Sequence, residues 1–327
     1  GNHAQGVALG AKMTGINATI VMPATAPLAK VTATKGYGAE VVLNGLVYDD
    51  AYAKAVEIQK ETGATFLHPF NDKYVIAGQG TIGLEILEQL DGKVDTILCP
   101  IGGGGIIAGI AVAAKGINPN IKIVGVQTAN IPSMQESMKN GEVTTAFKST
   151  TIADGIAVKT PGDVTFEIIN ELVDEVVVVE EDEIAQGMLF LMENQKVVAE
   201  GAGAVTTAAL LSGKYVPKKD ENVVCVISGG NVDVNTLYRV IGTALTKEAR
   251  RYSFNTVIQD KPGGLAELTK IISEYDANIL SANLSRSSMG GALGSLTAEM
   301  VLETFNHDHI DKLKVAITEA GFEIVEI

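Results

Sequence analysis

Four consecutive glycines, Gly102 to Gly105, are the residues whose type and spacing most directly predict chemistry in this chain. They follow an apolar run typical of a buried strand, Val94 to Ile101, and precede an apolar, Ala-rich run typical of a buried helix, Ile106 to Lys115. A glycine turn between strand and helix leaves bare backbone N–H groups beside the positive end of the helix dipole. The alternative is a tight packing turn, but four glycines in a row lose too much chain entropy for an ordinary turn. We therefore expect a phosphate-binding loop.

The residues around the loop restrict the kinds of phosphorylated ligand that it is expected to bind. The run lacks the lysine and hydroxyl that follow the glycines in nucleoside triphosphate sites. It also lacks the acidic residue of a dinucleotide site, since Val126 ends the next strand and Gln127 follows it. A small phosphorylated cofactor fits this pattern better.

Hydrophobic periodicity indicates how the chain positions this loop. Up to about residue 230, strands alternate with helices, which predicts an open, mostly parallel sheet with helices on both faces. The ligand is then expected beyond the carboxyl ends of the strands. The expected strands include Ala18–Met22, Glu40–Leu43, Phe66–Leu67, Lys122–Val126, Val176–Val179 and Val223–Ile227. The expected helices include His3–Thr14, Pro27–Lys35, Lys73–Leu90, Val164–Leu172, Glu181–Lys196 and Ala202–Ser212.

The pattern changes at a charged connector, Thr246 to Arg251. The residues after it predict a βαββαβ order, which is a ferredoxin-like unit. Its strands are expected at Tyr252–Ile258, Asn278–Ser285, Leu296–Leu302 and Phe322–Ile327, and its helices at Ala266–Tyr275 and His309–Ala320.

Composition excludes several classes of function. The 327 residues carry a net charge of −14, which argues against a nucleic acid or an anionic membrane as partner. No apolar stretch approaches the ~18 residues of a membrane span. Cys99 and Cys225 lie in apolar runs and are expected to be free thiols of a reducing compartment, the cytoplasm. The chain starts inside a predicted helix with neither Met nor a signal peptide, so we expect an N-terminally shortened piece of a longer protein.

With these elements placed, the sequence resembles pyridoxal-phosphate (PLP)-dependent threonine ammonia-lyases with a C-terminal ACT domain. The resemblance implies fold type II, the tryptophan synthase β-like fold, over residues 1–248, with subdomains 1–68 and 69–248, and an ACT domain over 252–327. The motifs that carry it are GNHAQG at Gly1–Gly6, PIGGGGIIAG at Pro100–Gly109, TIADGIAVKTPGD at Thr151–Asp163 and VISGGN at Val226–Asn231.

The resemblance assigns roles to individual residues. Gly102, Gly103, Gly104, Gly105 and the N–H of Ile106 would hold the cofactor phosphate.

Other residues would contact the cofactor ring or the substrate. Asn2 would donate to the phenolic oxygen of the ring, and Gly1, Asn2 and His3 would receive the substrate carboxylate at a helix N-terminus. The Ser228 hydroxyl would face the ring nitrogen, which should stay largely unprotonated because a hydroxyl cannot stabilise a pyridinium as a carboxylate would. Taken alone, Asn2 also fits a helix cap and Ser228 a turn.

Two further positions are assigned to the cofactor site. Gly155 would let the backbone approach the ring, and Glu200 would lie near the cofactor, although a carboxylate at a helix N-terminus explains Glu200 equally well.

The implied reaction is β-elimination from L-threonine and L-serine, giving 2-oxobutanoate or pyruvate and ammonia. The Schiff-base lysine of the family belongs to a serine-phenylalanine-lysine motif upstream of GNHAQG, so the catalytic lysine is expected outside this sequence. Lys12, Lys30 and Lys35 fall on predicted amphipathic helices and are not assigned that role. As written, the chain is expected to show no dehydratase turnover.

The ACT resemblance implies regulation and assembly. Pro262, Gly263, Gly264 and Leu265 would meet a partner subunit and bind a free amino acid, in a homodimer or homotetramer. A structural dimerisation module is the alternative. Isoleucine biosynthesis and threonine catabolism are both compatible metabolic roles.

A divalent metal is not expected, because 126–133, where related serine racemases place acidic ligands, contains no carboxylate. A monovalent cation held by carbonyls stays open. The four histidines, His3, His68, His307 and His309, are scattered. Two rival functions remain at this point: a serine racemase or serine dehydratase relative, and a non-catalytic amino-acid sensor on the same fold.

Overall fold

A computed structural model describes four stretches of the chain, residues 2–26, 28–46, 48–286 and 294–327. The chain forms two compact units. The first unit comprises Gly1–Val179 and Ser212–Ser228, and the second comprises Glu180–Leu211 and Gly229–Ile327. Among the described residues, no helix is both long enough and apolar enough to cross a membrane.

The first unit is an α/β structure with two parallel sheets. Its helices are α1 (Asn2–Thr14), α2 (Leu28–Gly36), α3 (Tyr48–Thr62), α4 (Lys73–Gln89), α5 (Gly105–Ile117), α6 (Ser133–Asn140) and α7 (Asp163–Leu172). Its strands are β1 (Thr19–Met22), β2 (Glu40–Leu43), β3 (Thr96–Pro100), β4 (Lys122–Thr128), β5 (Glu175–Val179) and β6 (Val223–Cys225). β1 pairs with β2, and the larger sheet has the order β5-β4-β3-β6. The predicted α/β class with parallel sheets is confirmed.

The core of the first unit surrounds β3 and α5. All five residues of β3 are buried, as expected for a central strand of a parallel sheet. Ile97 on β3 and Ile107 and Ile110 on α5 have no exposed surface. α4 packs against α5 and is capped at its N-terminus by Asp72, whose carboxylate accepts the N–H groups of Tyr74 and Val75 at 2.8 and 3.1 Å. The apolar runs on either side of the glycines therefore form the buried centre of this unit.

The second unit combines three helices with a ferredoxin-like part. The three helices are α8 (Glu181–Phe190), α9 (Gly201–Leu211) and α10 (Val234–Lys247). The ferredoxin-like part consists of β7 (Arg251–Gln259), α11 (Gly264–Glu274), β8 (Asn278–Ser285), β9 (Ser295–Glu303), α12 (His307–Glu319) and β10 (Val325–Glu326). Its sheet is antiparallel with the order β10-β7-β9-β8, so the predicted βαββαβ order is present. The division of the chain at residues 248 and 252 stays a prediction.

Two predicted elements differ in the structure. Phe66 and Leu67 form no strand among the described residues, because the Leu67 carbonyl bonds to the His3 ring at 3.0 Å and Phe66 packs its ring edge-on against Tyr52. The predicted helix 181–196 ends as an α-helix at Phe190 and continues as a π-helical turn over Leu191–Gln195.

The predicted strand 223–227 is shorter than expected, because β6 ends at Cys225. The N–H of Val226 still donates to the Leu98 carbonyl of β3 at 3.0 Å, but Pro100 has no N–H with which to continue the ladder. One other expectation lies outside the described residues, namely the helix start at Pro27.

Candidate functional site

The glycine loop forms the turn between β3 and α5. Gly104, directly before α5, has a left-handed backbone with φ 97° and ψ −3°. Within the part of the chain that the structure describes, the N–H groups of residues 102–107 donate to no protein acceptor, and the first to do so is Ala108, to Gly104 O at 3.0 Å. Gly103, Gly104 and Gly105 are nevertheless buried. Buried N–H groups normally have partners, so this row of donors at a helix N-terminus indicates a site for an anionic ligand.

Close packing explains why the loop is made of glycine. A Cβ on Gly103 would lie 2.4 Å from the Phe70 ring, and one on Gly102 would lie 2.9 Å from the Cα of Ile156. At Gly104 the left-handed backbone adds a conformational cost for any other residue. Atoms of distant segments therefore fill the space that side chains would need, and the turn keeps its N–H groups free of side chains.

A histidine-centred turn holds Phe70 in place. The Nδ1 atom of His68 accepts the N–H groups of Phe70 at 3.3 Å and Asn71 at 2.9 Å, so Nδ1 carries no proton. Burial lowers the pKa of His68, and the charge of His3 lowers it further. Asn71 donates to the Asp163 carboxylate at 2.5 Å, which lowers the pKa of Asp163. The turn is thereby linked to the start of α7.

Ser228 leaves the sheet beside the glycine loop. β6 and β3 are neighbouring parallel strands in which Cys225 pairs with Leu98. Ser228 lies three residues after Cys225, and Gly102 lies four residues after Leu98, so both follow the carboxyl ends of adjacent strands. Such strands are about 4.8 Å apart. The sheet order thus brings the predicted ring contact and the phosphate loop to one edge. Ser228 is exposed, and its role at the ring stays a prediction.

Asn2 and His3 occupy the first turn of α1, as a carboxylate site at a helix N-terminus requires. The predicted partner Gly1 lies outside the described residues. Gly155 lies in a 3-10 turn, Asp154–Ile156, and Ile156 of this turn is the residue that packs against Gly102. The turn that carries Gly155 is therefore a neighbour of the loop.

Glu200 directly precedes α9 in the second unit. It is 7% exposed, its N–H donates to the Gly229 carbonyl at 3.1 Å, and its own carbonyl accepts the N–H groups of Gly203 and Ala204. Its carboxylate also packs against Gly229, where an added Cβ would lie 2.4 Å from Oε1. These contacts match the helix N-terminal interpretation, and a role at the cofactor stays a prediction.

Cysteines and metal ligands take no evident part in this site. Cys99 is buried in β3, where burial raises the pKa of its thiol, and Cys225 is half-buried; neither forms a disulfide among the described residues. Among the described residues, His, Cys, Asp and Glu side chains form no group of three that could hold a metal ion.

A parallel sheet whose strand ends in a bare glycine turn at a helix N-terminus defines a phosphate-binding α/β protein. The chain belongs to the family of pyridoxal-phosphate dependent enzymes, whose model matches residues 1–229. An L-threonine ammonia-lyase of Thermotoga maritima is 50% identical over 324 residues, which are 99% of this chain and 80% of that protein.

Solved structures agree with this family. The processed form of threonine deaminase isoform 2 from Solanum lycopersicum superposes with a TM-score of 0.70 and 39% identity, over 75% of this chain and 71% of that one. Maize serine racemase gives a TM-score of 0.69 and 39% identity, over 76% of each chain. The fold is therefore that of fold type II enzymes of this family.

Sequence reasoning missed the side chains that support the loop. Phe70, Thr165 and Gln127 contact it, but they lie between 26 and 62 residues away in the sequence from the residues they touch. The only local signal was the position of Thr165 just after the expected start of a helix. Contacts at such separations leave no periodic trace in a single sequence.

Proposed function

We propose that this protein is a threonine ammonia-lyase, which converts L-threonine to 2-oxobutanoate and ammonia and L-serine to pyruvate and ammonia. The observation that carries the proposal is the row of N–H groups from Gly102 to Ile107, which belong to buried or half-buried residues and donate to no acceptor among the described residues, in a chain of the PLP-dependent family. The names of its similar proteins, threonine ammonia-lyase and threonine deaminase, support the substrate.

The donor set fits a phosphate monoester dianion. Backbone N–H groups of a glycine turn at a helix N-terminus provide charge-assisted hydrogen bonds without introducing a positive side chain. We assign this role to Gly102, Gly103, Gly104, Gly105 and Ile106. When bound, PLP supplies an electron sink for the pair of electrons left when the substrate loses its α-proton.

Protein residues orient the ring and the substrate in this proposal. The Ser228 hydroxyl donates to the ring nitrogen and, being neutral, leaves that nitrogen largely unprotonated. This suits loss of a β-hydroxyl, which needs less carbanion delocalisation than transamination. Asn2 donates its side-chain amide to the phenolic oxygen, and the N–H groups of Asn2 and His3 at the start of α1 hold the substrate carboxylate. Gly155 gives the backbone room beside the ring.

Product analysis tests the proposal on protein expressed from its complete coding sequence. We expect 2-oxobutanoate from L-threonine and pyruvate from L-serine. Replacing Ser228 with Ala should lower kcat about 10²-fold, since it removes a hydrogen-bond donor at the reacting system. Ser273→Ala, in the exposed part of α11, serves as the control and should keep the wild-type rate. Conversion of L-serine to D-serine without keto acid would favour the racemase instead, and amino-acid binding without any product would favour the sensor.

We also propose that 252–327 is an ACT-type module of a cytoplasmic homodimer or homotetramer. The sheet order β10-β7-β9-β8 supports it, together with the loop 260–265, where Gly263 has a left-handed backbone with φ 91° at the start of α11. Pro262, Gly263, Gly264 and Leu265 would form the contact with a partner subunit and an amino-acid effector. Isothermal titration with isoleucine, valine and threonine tests the effector, and the mass in solution tests the assembly. No heat with all three would leave the module a structural one.

A further inference from the structure

Two buried side chains donate to carbonyl oxygens at the glycine loop. The Thr165 hydroxyl donates to the Gly103 carbonyl at 2.6 Å, and the side-chain amide of Gln127 donates to the Ile101 carbonyl at 3.4 Å. Neither Thr165 nor Gln127 has any exposed surface. Both bonds go to the carbonyl side of the turn, and neither occupies one of its N–H groups.

Because the peptide group is planar, these bonds to carbonyl oxygens also affect the direction of the N–H groups of the turn. A carbonyl and the N–H of the next residue belong to one rigid trans unit and point in opposite directions. A bond that holds the Gly103 carbonyl therefore also sets the direction of the Gly104 N–H. In the same way, the bond to the Ile101 carbonyl sets the direction of the Gly102 N–H.

The peptide between Gly103 and Gly104 is the one that most needs such a restraint. Glycine on both sides gives it wide rotational freedom, so on its own it would turn its N–H in several directions. Thr165 lies in the first turn of α7, and a hydroxyl has one proton to donate. Its oxygen lies 2.6 Å from Gly103 O and 3.1 Å from Gly162 O, so the shorter contact is the one to the loop.

Neighbouring contacts fix both donors. The Val164 N–H donates to Asn71 at 3.0 Å, which ties the start of α7 to the turn before α4. The side-chain oxygen of Gln127 accepts the N–H of Gln135 at 2.9 Å, so its NH₂ end faces Ile101. Thr165 and Gln127 are thus held in place from outside the loop.

We propose that Thr165 and Gln127 are positioning residues that fix the peptide planes of the glycine loop, so that the N–H groups of Gly104 and Gly102 converge on a phosphate dianion. This inference rests on the proposed function, because it names how the same phosphate site is held in shape. Neither residue touches the ligand. Their effect is therefore specific to the phosphate group and leaves recognition of the ring unchanged.

Binding of two probes that differ only in the phosphate tests the inference. Pyridoxine 5′-phosphate and pyridoxine lack the aldehyde, so neither bonds covalently to lysines, and isothermal titration gives both affinities. We expect Thr165→Val, which keeps the shape and removes the hydroxyl, to weaken pyridoxine 5′-phosphate about tenfold and leave pyridoxine unchanged. Thr165→Ser should restore the affinity, and the ³¹P resonance of the bound probe should shift in the Val variant only.

A matched control separates this role from loss of a buried hydroxyl in general. Thr34 is equally buried and donates to the Lys30 carbonyl at 2.8 Å within α2. Thr34→Val should leave both affinities at wild-type values. If Thr165→Val does not fold, Gln127→Met carries the same test at the other carbonyl.

Three results would overturn the inference: wild-type phosphate affinity in Thr165→Val, a parallel loss for both probes, or no rescue by Ser. A different result would count against the proposed function itself, namely a wild-type protein that binds pyridoxine 5′-phosphate no more tightly than pyridoxine. The two failures are therefore distinguishable in one titration series.

Discussion

The parallel sheet of the first unit and the antiparallel sheet of the second bury their strands differently. All five residues of β3 are buried, whereas β7 alternates buried residues with more exposed ones along its length. A parallel strand covered on both faces has only its ends available for a ligand. The antiparallel sheet instead leaves one face partly open. The comparison teaches that the first sheet must place its chemistry on loops beyond the strand ends.

The two units also differ in which polar groups lack a protein hydrogen-bond partner among the described residues. In the first unit they are backbone N–H groups of the glycine loop, at the end of β3, where a ligand can pair with them. In the second unit, three buried side-chain atoms on β7 lack a partner among the described residues: Arg251 Nε, Tyr252 OH and Thr256 Oγ1. The first set indicates a binding site, whereas the second is a cost in stability.

The largest expected effect is that of replacing Gly104 in the first unit, compared with Gly263 in the second. Both glycines have a left-handed backbone. Gly104→Ala should lower the Tm of the first unit by about 6–12 °C, because its Cβ would lie 2.7 Å from Ile169 Cδ1 on top of the left-handed backbone. It should also weaken pyridoxine 5′-phosphate at least about tenfold. Calorimetry and titration measure the two effects.

Gly263→Ala is the control for that prediction. Its backbone is also left-handed, with φ 91°, but an added Cβ would meet nothing within 4 Å. Only the cost of the left-handed backbone remains, so the Tm should fall by about 2–6 °C. The affinity for pyridoxine 5′-phosphate should stay unchanged. Equal losses of stability in the two variants would contradict the role given to packing at Gly104.

An intermediate effect is expected at the carboxylate that ties β6 to β3. Glu221 accepts the Thr96 hydroxyl at 2.5 Å, the Tyr215 hydroxyl at 2.5 Å and the Lys218 N–H at 2.6 Å. These bonds, the one from Thr96 first, lower the pKa of Glu221 to about 2. Glu221→Gln should lower the Tm by about 2–6 °C at pH 7, because the charged acceptor is lost. Exposed Glu57→Gln should change little.

The pH dependence of this variant has a defined sign. A carboxylate whose pKa is lowered by folding contributes stability above its ordinary pKa, about 4.3, and loses that contribution as the pH falls toward 2. The difference in Tm between wild type and Glu221→Gln should therefore be largest near neutral pH and shrink below about pH 4. A difference that grows on acidification would refute the assignment.

The smallest expected effects come from two buried threonines of the second unit. Thr256→Val should raise the Tm by up to about 3 °C, since it removes a buried hydroxyl without a partner among the described residues. Thr304→Val should lower the Tm by a similar amount, because the Thr304 hydroxyl donates to the Ala249 carbonyl at 2.6 Å. Thermal melts of both variants measure these two changes in Tm. A loss of stability in both would mean that the Thr256 hydroxyl is paired in solution.

Local pattern was enough to predict much of the fold. The strand, glycine turn and helix around 94–115 are all present, and the antiparallel unit shows the expected βαββαβ order. In both cases the apolar periodicity of each segment by itself indicates the type of element. The predicted strand at Phe66–Leu67 was wrong, because the Leu67 carbonyl pairs with the ring of His3, which lies 64 residues earlier in the chain. The π-helical turn was missed because apolar periodicity does not distinguish it from an α-helix.

The candidate site likewise contains residues that could be predicted from the sequence and residues that could not. The glycine loop could be predicted because its four residues are consecutive. The hydroxyl of Thr165 and the amide of Gln127 could not, since they reach the loop only after α7 and β4 have packed. Ser228 was predicted by a motif, whereas its place beside the loop depends on a sheet order that a single sequence does not reveal.

The pairing of β3 with β6 has a consequence for synthesis on the ribosome. Thr96 and Glu221 are 125 residues apart, so β3 and its glycine turn leave the exit tunnel long before the strand that covers their open edge. During that interval the nascent chain exposes an apolar strand edge of the kind that chaperones shield. Translation that stops before residue 223 would release a protein with this edge permanently bare.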